Sequence, residues 1–197
     1  MDVQAFLSSF HTFDLLVVLA LMALFILGFI QGTVRRLLGI ASILFSFLVA
    51  AQLREPFGDF LAENWTQFPE QYSRMIAMGS VFLAGTIGFT IAIQVFYKVV
   101  PLFVRFPVVD EVLGGTLGVL QGLIIIGCVI MVLDPFYRLQ GLPRFNGEMG
   151  VLRSLFEAYD DSATAGIFRS QVIPGVIAVI GALIPQGVKD VFPSDLS

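Results

Sequence analysis

The chain has 197 residues, of which 57% are hydrophobic and only 13% charged, and its mean hydropathy of +0.90 lies far above that of a water-soluble domain. A soluble core is therefore excluded as the reading of the bulk numbers. The net charge of -4 argues against nucleic acid as a partner, because phosphate binding needs a surplus of Lys and Arg.

The first apolar run, Leu15 to Ile30, begins soon after the N-terminus with no Lys or Arg before it. A cleaved secretory signal carries basic residues there, so this run is expected to stay attached as a span with its N-terminus translocated. The second run, Leu37 to Leu53, would be about 26 Å long as a helix and needs slight thinning of the bilayer or snorkelling at Arg36 and Arg54. One helix from Leu15 to Leu53 would be about 58 Å long, so the chain must reverse between them. Gly32 and the Arg35–Arg36 pair mark that turn, and its tightness predicts two antiparallel neighbouring helices.

The connection from Arg54 to Arg74 is acidic and contains Pro56 and Pro69 as turn residues, with Trp65 expected at headgroup depth. Met75 to Tyr97 carries no formal charge, and with Val112 to Leu133 it is long enough to cross a bilayer core about 30 Å thick. Before the fourth span, Pro101 and Pro107 occupy the connection, and Asp110 and Glu111 stand where an N-cap and a first-turn acid would stabilise the helix. Pro135 is expected to close it.

Beyond it, Val151, Leu152, Leu155, Phe156 and Tyr159 recur at helical spacing opposite Arg153, Glu157 and Asp160. This predicts an amphipathic helix lying on the membrane surface or packed on the bundle. The last run, Val172 to Ile184, contains Pro174 and is too short to span unless it recruits Ile167 to Gln171, Arg169 included; an interfacial or re-entrant placement is favoured. The predicted fold is all-α: an integral membrane bundle of four transmembrane helices in residues 1–134, with amphipathic and interfacial or re-entrant helices in residues 135–197.

Gly114, Gly118 and Gly122 recur every four residues in the fourth span, and Gly28 and Gly32 repeat the spacing at the end of the first. In lipid, where tails are as apolar as leucine, such ladders let helix backbones approach. Two uses remain open: packing inside one bundle, the favoured one, and a homo-oligomer formed through exposed glycine faces. Gln31 and Gln121 each sit within a ladder, and Gln121, deep in its run, is expected to bond across helices or to face water. Ser80, Thr86, Thr90 and Gln94 form a weaker polar trace on the third span, which hydroxyl bonds within the helix also account for.

No ionisable side chain stands deep in any run, which disfavours ion-coupled transport. The sequence holds one histidine, His11, and one cysteine, Cys128, so catalytic, metal-ligating and cofactor-binding residues are expected to be none.

Two segments resemble the bacterial colicin V production protein (CvpA) family. One is Gly28-Phe29-Ile30-Gln31-Gly32-Thr33-Val34-Arg35-Arg36; the other is Asp110-Glu111-Val112-Leu113-Gly114 followed by Gly118, Gln121 and Gly122. The four-span order matches from about Phe13 to Asp134. The family pattern has arginine at positions 31, 111 and 121 and glutamate at 36, where this chain has Gln31, Glu111, Gln121 and Arg36, so the glycines and Asp110 are what carry over.

The resemblance implies a non-enzymatic, multi-pass protein of the bacterial cytoplasmic membrane, associated with toxin production or export or with envelope processes. It would act through helix packing or partner proteins of the membrane and envelope, with the lipid bilayer as its solvent. The alternative is a channel or transport-associated component. Arg35 and Arg36, read as headgroup and orientation residues, place both termini outside.

Overall fold

The computed structural model describes residues 11–96, 107–139, 144–145 and 148–180. Among them there is no strand, and four helices are long and apolar enough to cross a membrane. These are α1 (Thr12–Gln31), α2 (Thr33–Asn64), α3 (Glu70–Phe96) and α4 (Pro107–Asp134). The expectations for Pro101 and for the last residues of the C-terminal run lie outside the described residues.

The first turn of α1 is fastened by Asp14, whose Oδ2 accepts the His11 backbone N–H at 2.9 Å. The helix ends at Gly32, with φ 77° and ψ 172°, a backbone region open only to glycine. A Cβ at Gly32 would also stand 2.6 Å from Asp110 Oδ2, so both conformation and space demand glycine.

The chain reverses at Gly32 as expected, but α1 and α2 are not packed neighbours along their length. α1 packs chiefly on α4, and α2 chiefly on α3, while α4 touches both α1 and α2. A one-residue turn splays the two helices, and α4 fills the wedge. Its direction follows from the pairings. α4 runs antiparallel to α1, with Gly114 against Gly28 and Gly118 against Leu24. It runs parallel to α2, with Asp110 at Thr33, Gln121 at Arg36 and Phe136 beneath the Arg54 guanidinium. α3 returns antiparallel to α2, with Phe82 edge-on to Phe47, Phe89 edge-on to Phe45 and Gly85 against Ser46.

Pro56 does not end its helix. α2 continues past Leu53, through Pro56, to Asn64, leaving only residues 65–69 as the connection to α3. Proline forfeits one helical hydrogen bond. Here packing outweighs that loss: Gly58 lies so close to Arg74 that a Cβ would meet its Cγ at 2.5 Å, and Leu61 is buried. Arg74 also bridges Asp59 at 3.0 Å and Glu70 at 2.6 Å. At about 48 Å, α2 outruns a bilayer core. Pro135 does close α4, at Asp134, and a π-helical turn, Pro135–Leu139, follows it. The wider turn accommodates the missing N–H while Phe136 and Tyr137 stay buried.

α4 begins earlier than expected, with Pro107 at its first position, where its absent N–H costs nothing. Asp110 is therefore a first-turn residue and not an N-cap, and it is buried against the Gly32 turn.

α5 (Gly150–Asp160) is packed on the bundle through Leu152, Phe156 and Tyr159, while Val151 and Leu155 are exposed. Its charged face is not free: Arg153 pairs with Glu148 at 2.8 Å and lies over the Tyr137 ring. α6 (Ala163–Ile167), a π turn (Phe168–Val172) and α7 (Ile173–Ile180) follow as one helical path that includes Arg169. Phe168 and Ile173 are buried, and Phe168 and Val172 pass beside Gly127 of α4. A single buried cluster joins α2, α3 and α4 to these C-terminal helices.

Candidate functional site

Three polar or close-packed features organise the bundle: a glycine seam, an ionic knot at one end and a polar cavity at the other. In the seam, a Cβ at Gly28 would lie 2.2 Å from the Gly114 carbonyl oxygen, and one at Gly118 would lie 2.2 Å from that of Leu24. At Gly122 it would meet the side chains of Leu21 and Leu24 at 2.7 Å. The two glycine ladders thus face each other within one chain. In this single chain, α1 and α4 cover each other's glycine faces.

The ionic knot lies where α1 begins and α4 ends. Arg169 donates to both Asp134 oxygens, at 2.7 and 2.8 Å, and to Asp160 at 2.7 Å. The Tyr159 hydroxyl donates to Asp134 at 2.9 Å. Burial works against the charge of Arg169, but its carboxylate bonds outweigh that and hold its pKa above the ordinary value. Burial, and then the Asp134 charge, push the Tyr159 phenol upward. Nearby, Asp14 Oδ1 accepts from the Thr164 N–H at 2.8 Å and its hydroxyl at 2.6 Å. These bonds fix α6 to the start of α1.

At the opposite end, a cavity of about 150 Å³ lies between the helices, lined by Leu27 and Gln31 of α1, Arg35, Arg36 and Gly39 of α2, Thr90, Ile93 and Gln94 of α3, and Gln121 of α4. Arg36 is only 5% exposed, and its Nη1 donates to Gln121 Oε1 at 2.8 Å. Gly39 makes room for that amide, since a Cβ there would stand 3.0 Å from Gln121 Nε2. The lining offers guanidinium, amide and hydroxyl groups and no carboxylate, imidazole or thiol.

The residues that the sequence singles out thus separate into two places. Gly28, Gly114, Gly118 and Gly122 form the seam; Arg35, Arg36 and Gln121 meet at the cavity with Gln31, Thr90 and Gln94 from the polar traces. Gly32 and Asp110 build the turn between them, where Thr33 Oγ1 donates to the Asp110 carbonyl at 3.0 Å. Arg36, an orientation marker by sequence, is turned into the bundle. Cys128 is fully buried in the core. Among the described residues no group of three His, Cys, Asp or Glu side chains is placed to hold a metal. Asp14, Asp134 and Arg169 escape a reading of the sequence; their signal is a lone charge at the edge of an apolar run.

Comparison with protein families matches residues 13–179 to the colicin V production protein family. The chain belongs to that family. The match covers all four long helices and extends through the ionic knot into α7, so the C-terminal helices are part of the family unit as well. No curated protein and no solved structure matches the chain. Family membership and the four apolar helices together make this a membrane protein of the colicin V production type.

Proposed function

We propose that this colicin V production family member is a non-enzymatic, multi-pass protein of the bacterial cytoplasmic membrane that serves toxin export or envelope processes by engaging partner proteins. The observation that supports this reading is how the ionisable side chains are used. Asp14, Asp134, Asp160 and Arg169 are engaged in bonds that tie the C-terminal helices to the spans. These bonds hold the C-terminal helices on the spans, while Ile87 and Ile91 of α3 and Val151 of α5 face outward. We place the Arg35 end of the bundle in the cytoplasm and the Asp14 end outside.

Site-specific photocrosslinking in cells tests this, from Ile87 and Ile91 on α3 and from Val151 on α5, all exposed. A discrete protein adduct from one of these faces supports the partner role; lipid adducts alone at all three positions remove it. Labelling of single cysteines at positions 35 and 151, in a Cys128→Ala background, decides orientation.

The polar cavity favours a second reading, a transport-associated component. Vesicles reconstituted with the protein would then show flux of a polar solute that Gln121→Leu alters, and absence of flux across a panel of ions and small anions would end that reading.

A further inference from the structure

We propose that the cavity between α1, α2, α3 and α4 is a binding site for a phosphate-bearing anion, with Arg36 and Arg35 as its charged ligands. The inference stands apart from the partner reading above, since it concerns the inside of the bundle and not its outer faces.

A buried guanidinium is costly unless paired, because water is lost from five donors at once. Arg36 has recovered only part of that loss: Nη1 bonds to the neutral Gln121 amide, while Nε is buried with no hydrogen-bond partner. Beside it, Arg35 lines the same cavity, and among the described residues neither arginine has a carboxylate at ion-pair distance. Asp110, the buried acid of this end, faces Gly32 and is not part of the lining. The lining itself therefore supplies no counter-charge to the two guanidinium groups.

Its chemistry follows from the donors. Guanidinium groups suit the paired oxygens of phosphate, and the Gln31, Gln94 and Thr90 side chains supply neutral bonds around them. The first turn of α2, which carries both arginines, adds the favourable end of its dipole. The lining reaches Gly39, about 9 Å along α2 from Thr33 at the Gly32 turn. Leu27 and Ile93 give it apolar walls. Basic pockets between membrane helices take up acidic lipid headgroups in this way. A free phosphate from the aqueous phase presents the same oxygens.

The test uses the full chain purified in mild detergent, with phosphatidylglycerol, phosphatidylcholine and inorganic phosphate as probes. Native mass spectrometry at equal lipid concentrations reads the headgroup arm, and thermal unfolding with added phosphate reads the aqueous arm. Retention of phosphatidylglycerol about tenfold above phosphatidylcholine assigns a lipid headgroup; a phosphate-dependent rise in Tm without lipid preference assigns a free anion. In either arm Arg36→Gln is expected to weaken binding about tenfold, the worth of one charge-assisted contact. Should that variant misfold, Arg35→Gln and Thr90→Glu decide, the second by placing a carboxylate in the cavity to displace the external anion. Wild-type protein that shows neither lipid preference nor phosphate response overturns the site, as do folded variants that all bind like wild type.

Discussion

Arg169→Met removes one side of the ionic knot and leaves Asp134, whose side chain is 3% exposed, with the Tyr159 hydroxyl still donating to it at 2.9 Å. Stranding a buried charge costs about 3–5 kcal/mol, and the 15% exposure of Arg169 places this case at the lower end, about 3 kcal/mol. The loss falls on the docking of residues 163–172 against α4, because the four spans do not depend on it. At 1.4 kcal/mol per factor of ten, the local opening equilibrium rises about 100-fold. Hydrogen exchange in nanodiscs reads this directly: amides of 163–172 should exchange about 100-fold faster, while those of α4 around Gly118 keep their rates. The double variant Asp134→Leu/Arg169→Met replaces both charges with apolar groups, and such exchanges are close to neutral. It should recover to within about tenfold of wild type, the remainder being the lost acceptor of Tyr159 at about 1 kcal/mol. A double variant that exchanges as fast as Arg169→Met would refute the reasoning, since the loss would then reflect packing and not an uncompensated carboxylate.

Gly118→Leu forces a Cβ to within 2.2 Å of the Leu24 carbonyl, so α1 and α4 must separate by about an ångström, at about 1–3 kcal/mol or more for the larger side chain. Gly88→Leu, where a Cβ meets nothing, is the control; equal Tm values in detergent for the two variants would contradict the seam. The raised pKa of Tyr159 gives a pH effect of defined sign. Its contribution is fully present below the unfolded value of 10.0 and is lost as pH rises above that toward the folded value, so the docking of 163–172 should be constant from about pH 6 to 9 and weaken above about pH 10. Tyr159→Phe should flatten the alkaline loss, and an unchanged exchange profile in that variant would assign it to another group.

The four spans are legible in the sequence because an uncharged run of span length gains most by burial in lipid, and the family resemblance rests on motifs that the structure brings to α1, α2 and α4. Helix ends are less legible. Pro56 and Pro135 have the local character of stops, yet burial of Leu61 and Phe136 beyond them keeps the backbone helical. Helix pairing is not legible either: the sequence shows two glycine ladders but not that each is the other's surface. Proximity in sequence suggests α1 beside α2, and the single-residue turn at Gly32 sends them apart. The knot is hidden by distance along the chain, since Asp14 meets Thr164 and Asp134 meets Arg169 only once α4 has carried them together.

Arg35 and Arg36 show why the cavity escapes a reading by composition. Neighbouring residues on a helix point about 100° apart, so an Arg-Arg pair need not bury both side chains to the same depth. Counting both as headgroup charges treats them alike, whereas the fold turns one of them inward to 5% exposure. The two ends of the bundle then differ in a way that bears on function. At the Asp14 end, Arg169 has two carboxylates, and its charge is answered within the chain. At the Gly32 end, Arg36 has one neutral amide and a buried Nε with no partner. An end whose charges are internally matched has no electrostatic use for a ligand; an end with surplus buried donors does. The first is the anchor that joins the C-terminal helices to the spans, and the second is where an anion gains most by entering.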